Sequence, residues 1–196
     1  MLYRVSCILT RMLLERVQEN KCDDDVYVYG IELIISTIVN LSAIMLISWL
    51  LSDAAFGFLF IAIFVPLRLF TGGYHATTYA GCFIITNLTY LILFIIKKTL
   101  WGFIPVTGWL GILVIAGCYI IRKAPIINIA QPINEYRQKR SKQISRYIML
   151  VDLLLAIYFA FCNKELVSTI SLSVCLVSAF MLITNKSILK RKESSI

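Results

Sequence analysis

The chain holds a single histidine, no Cys-X-X-Cys pair, no internal repeat and only 15% charged residues. Each scarcity excludes something. One imidazole supplies too few ligands for an ordinary zinc site, and six cysteines without close pairing do not outline a disulfide framework. No metal, no other cofactor and no nucleic-acid partner is expected. So little charge, beside 59% hydrophobic residues, leaves more apolar surface than a water-soluble domain can hide.

What is present is a series of six apolar segments, Val26 to Leu51, Ala54 to Phe70, Ala76 to Ile96, Phe103 to Ile121, Ile144 to Phe161 and Val167 to Thr184. A bilayer core takes about 20 apolar residues per helix. The expected fold is therefore all-α, a polytopic membrane protein of about six transmembrane helices. Residues 1–196 form one domain, with the bundle over 26–184 and little room for a soluble part. Only Ser52 and Asp53 separate the first two segments, which predicts a tight turn, because one helix of that combined length would exceed a membrane.

Residues 1–25 precede the bundle. In "MLYRVSCILTRMLLERVQENK", Leu2, Val5, Leu9, Met12, Leu13 and Val17 share one helical stripe, with Arg4, Arg11, Glu15 and Glu19 elsewhere. This predicts an amphipathic helix lying in the membrane interface. It lacks the apolar core and small-residue cleavage site of a secretory signal, so it is expected to stay attached. "CDDD" at Cys22 to Asp25 then offers carboxylates to the start of the first span, where a helix favours them.

With the N-terminus inside, sixteen of the nineteen lysines and arginines fall on the cytoplasmic side; only Lys97, Lys98 and Lys164 lie outside. Positive charge near span ends is retained in the cytoplasm. Both termini, the Gly-Gly connection, a basic loop over 122–143 and a basic tail over 185–196 are thus expected in the cytosol.

The Gly-Gly connection carries the chemistry. In "RLFTGGYHATTYAGC", Arg68 to Cys82, the one histidine, His75, precedes a cysteine by seven residues. A thiolate beside an imidazole attacks carbonyl carbon, and the imidazolium can protonate a departing amine. On a regular helix, seven residues return to the same face but sit about 10.5 Å apart along the axis. Contact therefore requires His75 to leave the helix of Cys82, or the two to meet across a homodimer. Gly72 and Gly73 permit the fold-back, and Gly81 can loosen the helix start. If that helix begins near Tyr79 or Ala80, Cys82 occupies its first turn. There, free amides and the positive dipole end favour a thiolate and can receive an oxyanion.

Glu32 and Asp152 lie inside spans, where carboxyls need a partner or a watery cavity; either can orient His75 or pair with Arg68. Asn40 and Asn87 suit hydrogen bonds between helices. Glu32, Asp152 and Arg68 lining a polar path leave a small transporter or channel as the alternative function, although no pair of broken helices marks a midplane site.

The stretch "RLFTGGYHATTYAGC" resembles the signature of the accessory gene regulator B (AgrB) family, membrane cysteine endopeptidases of Gram-positive quorum sensing. The arginine, Gly-Gly, "YHA" and cysteine stand at matching intervals, and the likeness extends over the amphipathic N-terminus and, more loosely, the loop "RKAPIINIAQPINEYRQKRSKQ". The resemblance implies a multi-pass protein of the cell membrane, dimeric, that trims the C-terminal tail from an AgrD-type precursor. It also implies help in closing a thiolactone or lactone pheromone. It makes Cys82 the nucleophile and His75 the general base and acid, with Arg68, Gly72 and Gly73 in support. Arg137, Lys139, Arg140 and Lys142 are expected to attract the precursor's acidic tail.

Overall fold

The computed structural model describes residues 6–12, 24–72, 78–126 and 135–193. Its helices are α1 (6–12), α2 (Asp24–Leu50), α3 (Ala54–Thr71), α4 (Tyr79–Leu100), α5 (Val106–Lys123), α6 (Glu135–Cys162) and α7 (Lys164–Glu193). Helices α2 to α7 are long and apolar enough to cross a membrane, which makes the chain an all-α, multi-pass membrane protein. In α1, Ile8, Leu9 and Met12 are exposed while Ser6 and Thr10 are buried. The remaining stripe positions, Leu2, Val5, Leu13 and Val17, lie outside the described residues.

Helix ends follow local chemistry. Ser52 takes a φ of 56°, and Asp53 caps α3 by accepting from the Phe56 amide at 3.1 Å, which gives the tight turn between the first two spans. Thr78 starts α4 at Tyr79, three residues later than apolarity suggests. Pro105, which has no amide to give an interior helical bond, likewise delays α5 to Val106. In the other direction, α6 starts nine residues before Ile144, and α7 continues past Thr184 to Glu193. Apolarity marks where a helix fits lipid. Arg, Lys, Gln and Glu are good helix formers in water, so both helices run beyond it, and residues 135–143 of the expected basic loop are helical.

Helix α7 is the axis of the bundle, with 67% of its spanning window buried against 11% for α2. It packs on α3, α5 and α6, and more lightly on α4; α2 rides outside on α3 and α4. Val167 to Val174 are buried all round. Small residues there let neighbouring backbones approach, and the hydroxyls of Ser168, Ser171 and Ser173 donate back to carbonyls three or four residues earlier, satisfying themselves without water. Ser171 also donates to the Trp109 carbonyl of α5 at 2.8 Å. On α3, Phe56, Phe60 and Phe64 form a stripe whose rings meet Tyr90, Phe94 and Phe180.

Helices α2 and α4 run parallel, joined by polar pairs. Tyr79 Oη donates to Glu32 Oε2 at 3.0 Å, Asn87 Nδ2 donates to Asn40 Oδ1 at 2.8 Å, and the Ser48 and Tyr90 hydroxyls lie 2.6 Å apart. The alternating chain direction gathers the last turn of α3, the last turn of α5 and the first turn of α4 at one end of the bundle. Asp53, Lys97 and Glu165 meet at the opposite end.

Candidate active site

Arg68 lies in the last turn of α3, where a cation suits the helix's exposed carbonyls. Its Nη1 donates to the Gly72 carbonyl at 2.8 Å, and the guanidinium sits 5.2 Å from the Phe180 ring centroid, a cation–π contact from α7. Gly72 ends the helix with a φ of 69°, a conformation that side chains resist. A Cβ there would come within 2.6 Å of the Ile126 carbonyl oxygen. The Ile126 amide in turn donates to the Thr71 carbonyl at 3.0 Å, forming a parallel bridge between Gly72 and Ile126.

Across from this junction, Thr78 caps α4. Its hydroxyl accepts from the Gly81 amide at 3.1 Å and its carbonyl from the Cys82 amide at 3.0 Å. Cys82 is therefore in the first turn, as the sequence suggests, and its thiol is partly buried.

Two expectations change. Gly81 does not loosen the helix start, because it is held inside the capped turn. The amides of Gly81 and Cys82 are already taken by Thr78, which leaves Tyr79 and Ala80 as the first-turn donors without an intrahelical acceptor. The cap was missed in the sequence although a threonine before an apolar helix is its usual signal.

Glu32 accepts from Tyr79, three residues before Cys82, and does not pair with Arg68. Asp152 does not pair with Arg68 either: it is 4% exposed on α6, with one carboxyl oxygen unpartnered among the described residues. Asn40 and Asn87 form the expected bond between helices. Arg137, Lys139, Arg140 and Lys142 are exposed on the first turns of α6. His75 and Gly73 lie outside the described residues. Among the described residues, Cys7, Cys82, Cys118, Cys162 and Cys175 are free thiols, and no cluster of three acidic, histidine or cysteine side chains is placed to hold a metal.

These features define a multi-pass membrane protein with a cysteine in the first turn of one span and an arginine in the last turn of the span before it. The family model for accessory gene regulator B matches residues 6–184, and the chain belongs to that family. It is thereby a participant in quorum-sensing peptide processing, with an AgrD precursor as its partner. No curated protein and no solved structure matches the chain.

Proposed function

We propose that this chain is the membrane cysteine endopeptidase that cuts the C-terminal tail from an AgrD-type precursor and promotes its cyclisation. The observation that carries this is the seat of Cys82 in the first turn of α4, in a chain whose family processes such peptides.

In this mechanism His75 takes the proton of Cys82 and the thiolate attacks a precursor carbonyl. The Tyr79 and Ala80 amides are the helix-start donors that remain for the oxyanion. As the carbon–sulfur bond is made and the peptide carbon–nitrogen bond breaks, His75 returns its proton to the departing amine. The tail leaves and the rest of the precursor stays on Cys82 as a thioester. A cysteine thiol or serine hydroxyl within the precursor then attacks that thioester, which frees Cys82 and closes a thiolactone or lactone. Water would yield the linear acid. The internal nucleophile competes well because it is held nearby, and a site at the hydrocarbon edge keeps water scarce.

The protein works as a homodimer in the cell membrane of a Gram-positive bacterium, with both termini cytoplasmic. His75 reaches Cys82 within one chain or from the partner subunit. Arg137, Lys139, Arg140 and Lys142 attract the acidic tail of the precursor. Co-expression with the short peptide encoded beside the gene, followed by mass spectrometry, tests the scheme. Wild type should release the tail, and Cys82→Ala or His75→Ala should not. Normal tail release by Cys82→Ala would end the proposal.

A further inference from the structure

We propose that Glu32 is a positioning residue: by accepting the Tyr79 hydroxyl it holds the first turn of α4, and Cys82 within that turn, in register against α2.

The bonds around Cys82 are of two kinds. Thr78 Oγ1 accepts from the Gly81 amide at 3.1 Å, the Thr78 carbonyl from the Cys82 amide at 3.0 Å, and the Cys82 carbonyl from the Thr86 hydroxyl at 2.9 Å. These lie within α4 and its cap. They set the shape of the turn but move with it. The bond from Tyr79 Oη to Glu32 Oε2, 3.0 Å long, is of the other kind, because it joins the turn to a second helix. Tyr79 and Cys82, three residues apart, are neighbours on the helix surface, so fixing the one fixes the other.

A second cross-helix bond defines the register. Asn87 donates to Asn40 at 2.8 Å, and this pair, like Tyr79 with Glu32, is 47 positions apart in the chain. The two bonds are thus one matching step apart on each helix, a rise of about 12 Å, and Cys82 lies between them. They are not equivalent. Asn87 is in the helix interior and has the Phe83 carbonyl as a further acceptor, whereas Tyr79 opens the helix, where the intrahelical ladder is incomplete. Packing does little to replace the bond at Tyr79, since only 22% of the spanning window of α4 is buried. A carboxyl within a span is costly and usually functional. Here its partner is the residue that opens the helix of Cys82.

That Cys82 needs such placing rests on the peptidase reading, whereas the hold on the turn is measured without peptide. Hydrogen exchange of full-length protein in lipid nanodiscs is followed by mass spectrometry on peptides spanning residues 78–83. In Glu32→Ala the Gly81 and Cys82 amides should exchange about fivefold faster, the effect of losing one net hydrogen bond from a turn that opens locally. Tyr79→Phe should match it, and the double variant should go no further. Glu32→Gln, whose amide oxygen still accepts, should exchange as wild type does. Tail release is then measured in proteoliposomes with a synthetic copy of the short peptide encoded beside the gene. The kcat of Glu32→Ala should fall about tenfold at unchanged KM, because the nucleophile is misplaced while the binding surface is intact. Glu32→Gln should restore it. Asn40→Ala breaks the inner bond but leaves Glu32 with Tyr79, so its kcat should fall less than about twofold.

Wild-type kcat or wild-type exchange in Glu32→Ala overturns the proposal. So does a Glu32→Gln variant no faster than Glu32→Ala, or an Asn40→Ala variant equally slowed, since either would mark a general loosening of the bundle. Should Glu32→Ala fail to reach the membrane, Tyr79→Phe decides. Tail release by Cys82→Ala is scored apart. It would remove the peptidase reading, while the exchange rates alone still decide whether Glu32 holds the turn.

Discussion

Replacing Lys97 by Met tests how the end of the bundle opposite Cys82 is held. Lys97 Nζ donates to Asp53 Oδ2 at 2.8 Å, reaches Glu165 Oε1 at 3.0 Å and lies 4.9 Å from the Phe56 ring centroid. One ammonium thus joins the last turn of α4 to the cap of α3 and the first turn of α7. The Lys97 side chain is 1% exposed and that of Asp53 15%, whereas Glu165 is 45% exposed. Removing the ammonium leaves the partly buried Asp53 carboxylate without its cation, a loss of about 1–2 kcal/mol, between those of exposed and fully buried pairs. Glu165 stays hydrated, so Glu165→Gln should cost less than about 1 kcal/mol.

Asp53→Asn keeps a good cap and loses only the charge. Combined with Lys97→Met, it should recover part of the stability, because no carboxylate is then stranded. Unfolding of the purified protein in detergent at neutral pH measures all four variants. Wild-type stability in Lys97→Met, or an equal loss in Glu165→Gln, would refute this ranking.

The same cluster sets a pH dependence. Burial alone would raise the Asp53 carboxyl, but hydrogen bonds from Lys97 and the Phe56 amide, with the charges of Lys97 and Lys98, outweigh it and hold the group below the ordinary carboxylate range. Because the folded value lies below the unfolded one, the contribution is complete above the unfolded value, about 3.9. It is lost as pH falls through the folded value. Wild type should lose stability below about pH 4 by a step that is smaller in Asp53→Asn; an identical acid profile would sink the assignment.

Three other outcomes are expected. Tyr79→Phe removes the donor to Glu32 and should destabilise the α2–α4 pair by about 1 kcal/mol; adding Glu32→Ala should cost little more, and full additivity in the double-mutant cycle would dismiss the bond. At Gly57 a Cβ would collide with the Ser48 side chain and stand 3.4 Å from Tyr90 Oη, so Gly57→Ala should cost about 1–3 kcal/mol. An unchanged melting temperature would show that α2 shifts freely. Changing Arg137, Lys139, Arg140 and Lys142 together to Gln should weaken precursor capture most at low ionic strength; a loss independent of salt would exclude electrostatic docking.

The spans were legible because apolarity reports what lipid accepts, and the α2–α3 turn because Ser52 and Asp53 leave no other way to divide so long a run. The water-facing extension of α6 was not, since "EYRQKRSKQ" reads as a charged connection to any measure of apolarity, although its residues favour helix. The place of Cys82 was legible from "TTYAGC". Its capped amides were not, because that required Thr78 to be recognised as the helix boundary. Lys97 read as a loop charge and is a buried one, since its partners Asp53 and Glu165 lie far away in the chain. The junction of Thr71 and Gly72 with Ile126 leaves no periodic trace at all: backbone groups make it, and only the glycine is visible.

The partners of Arg68 matter by what they are not. A carboxylate from Glu32 or Asp152, the pairing that the sequence invites, would cancel much of the guanidinium's field. The arginine instead rests on a neutral carbonyl and an aromatic face, both of which fix its position without opposing its charge. Glu32 is occupied with Tyr79, and Asp152 makes no ion pair among the described residues. The opposite end shows the contrast: there Lys97 spends its charge on two carboxylates and serves to hold helices together. A cation anchored by neutral groups keeps its charge uncancelled at its own end of the bundle, whereas that of Lys97 is spent inside a three-way ion cluster.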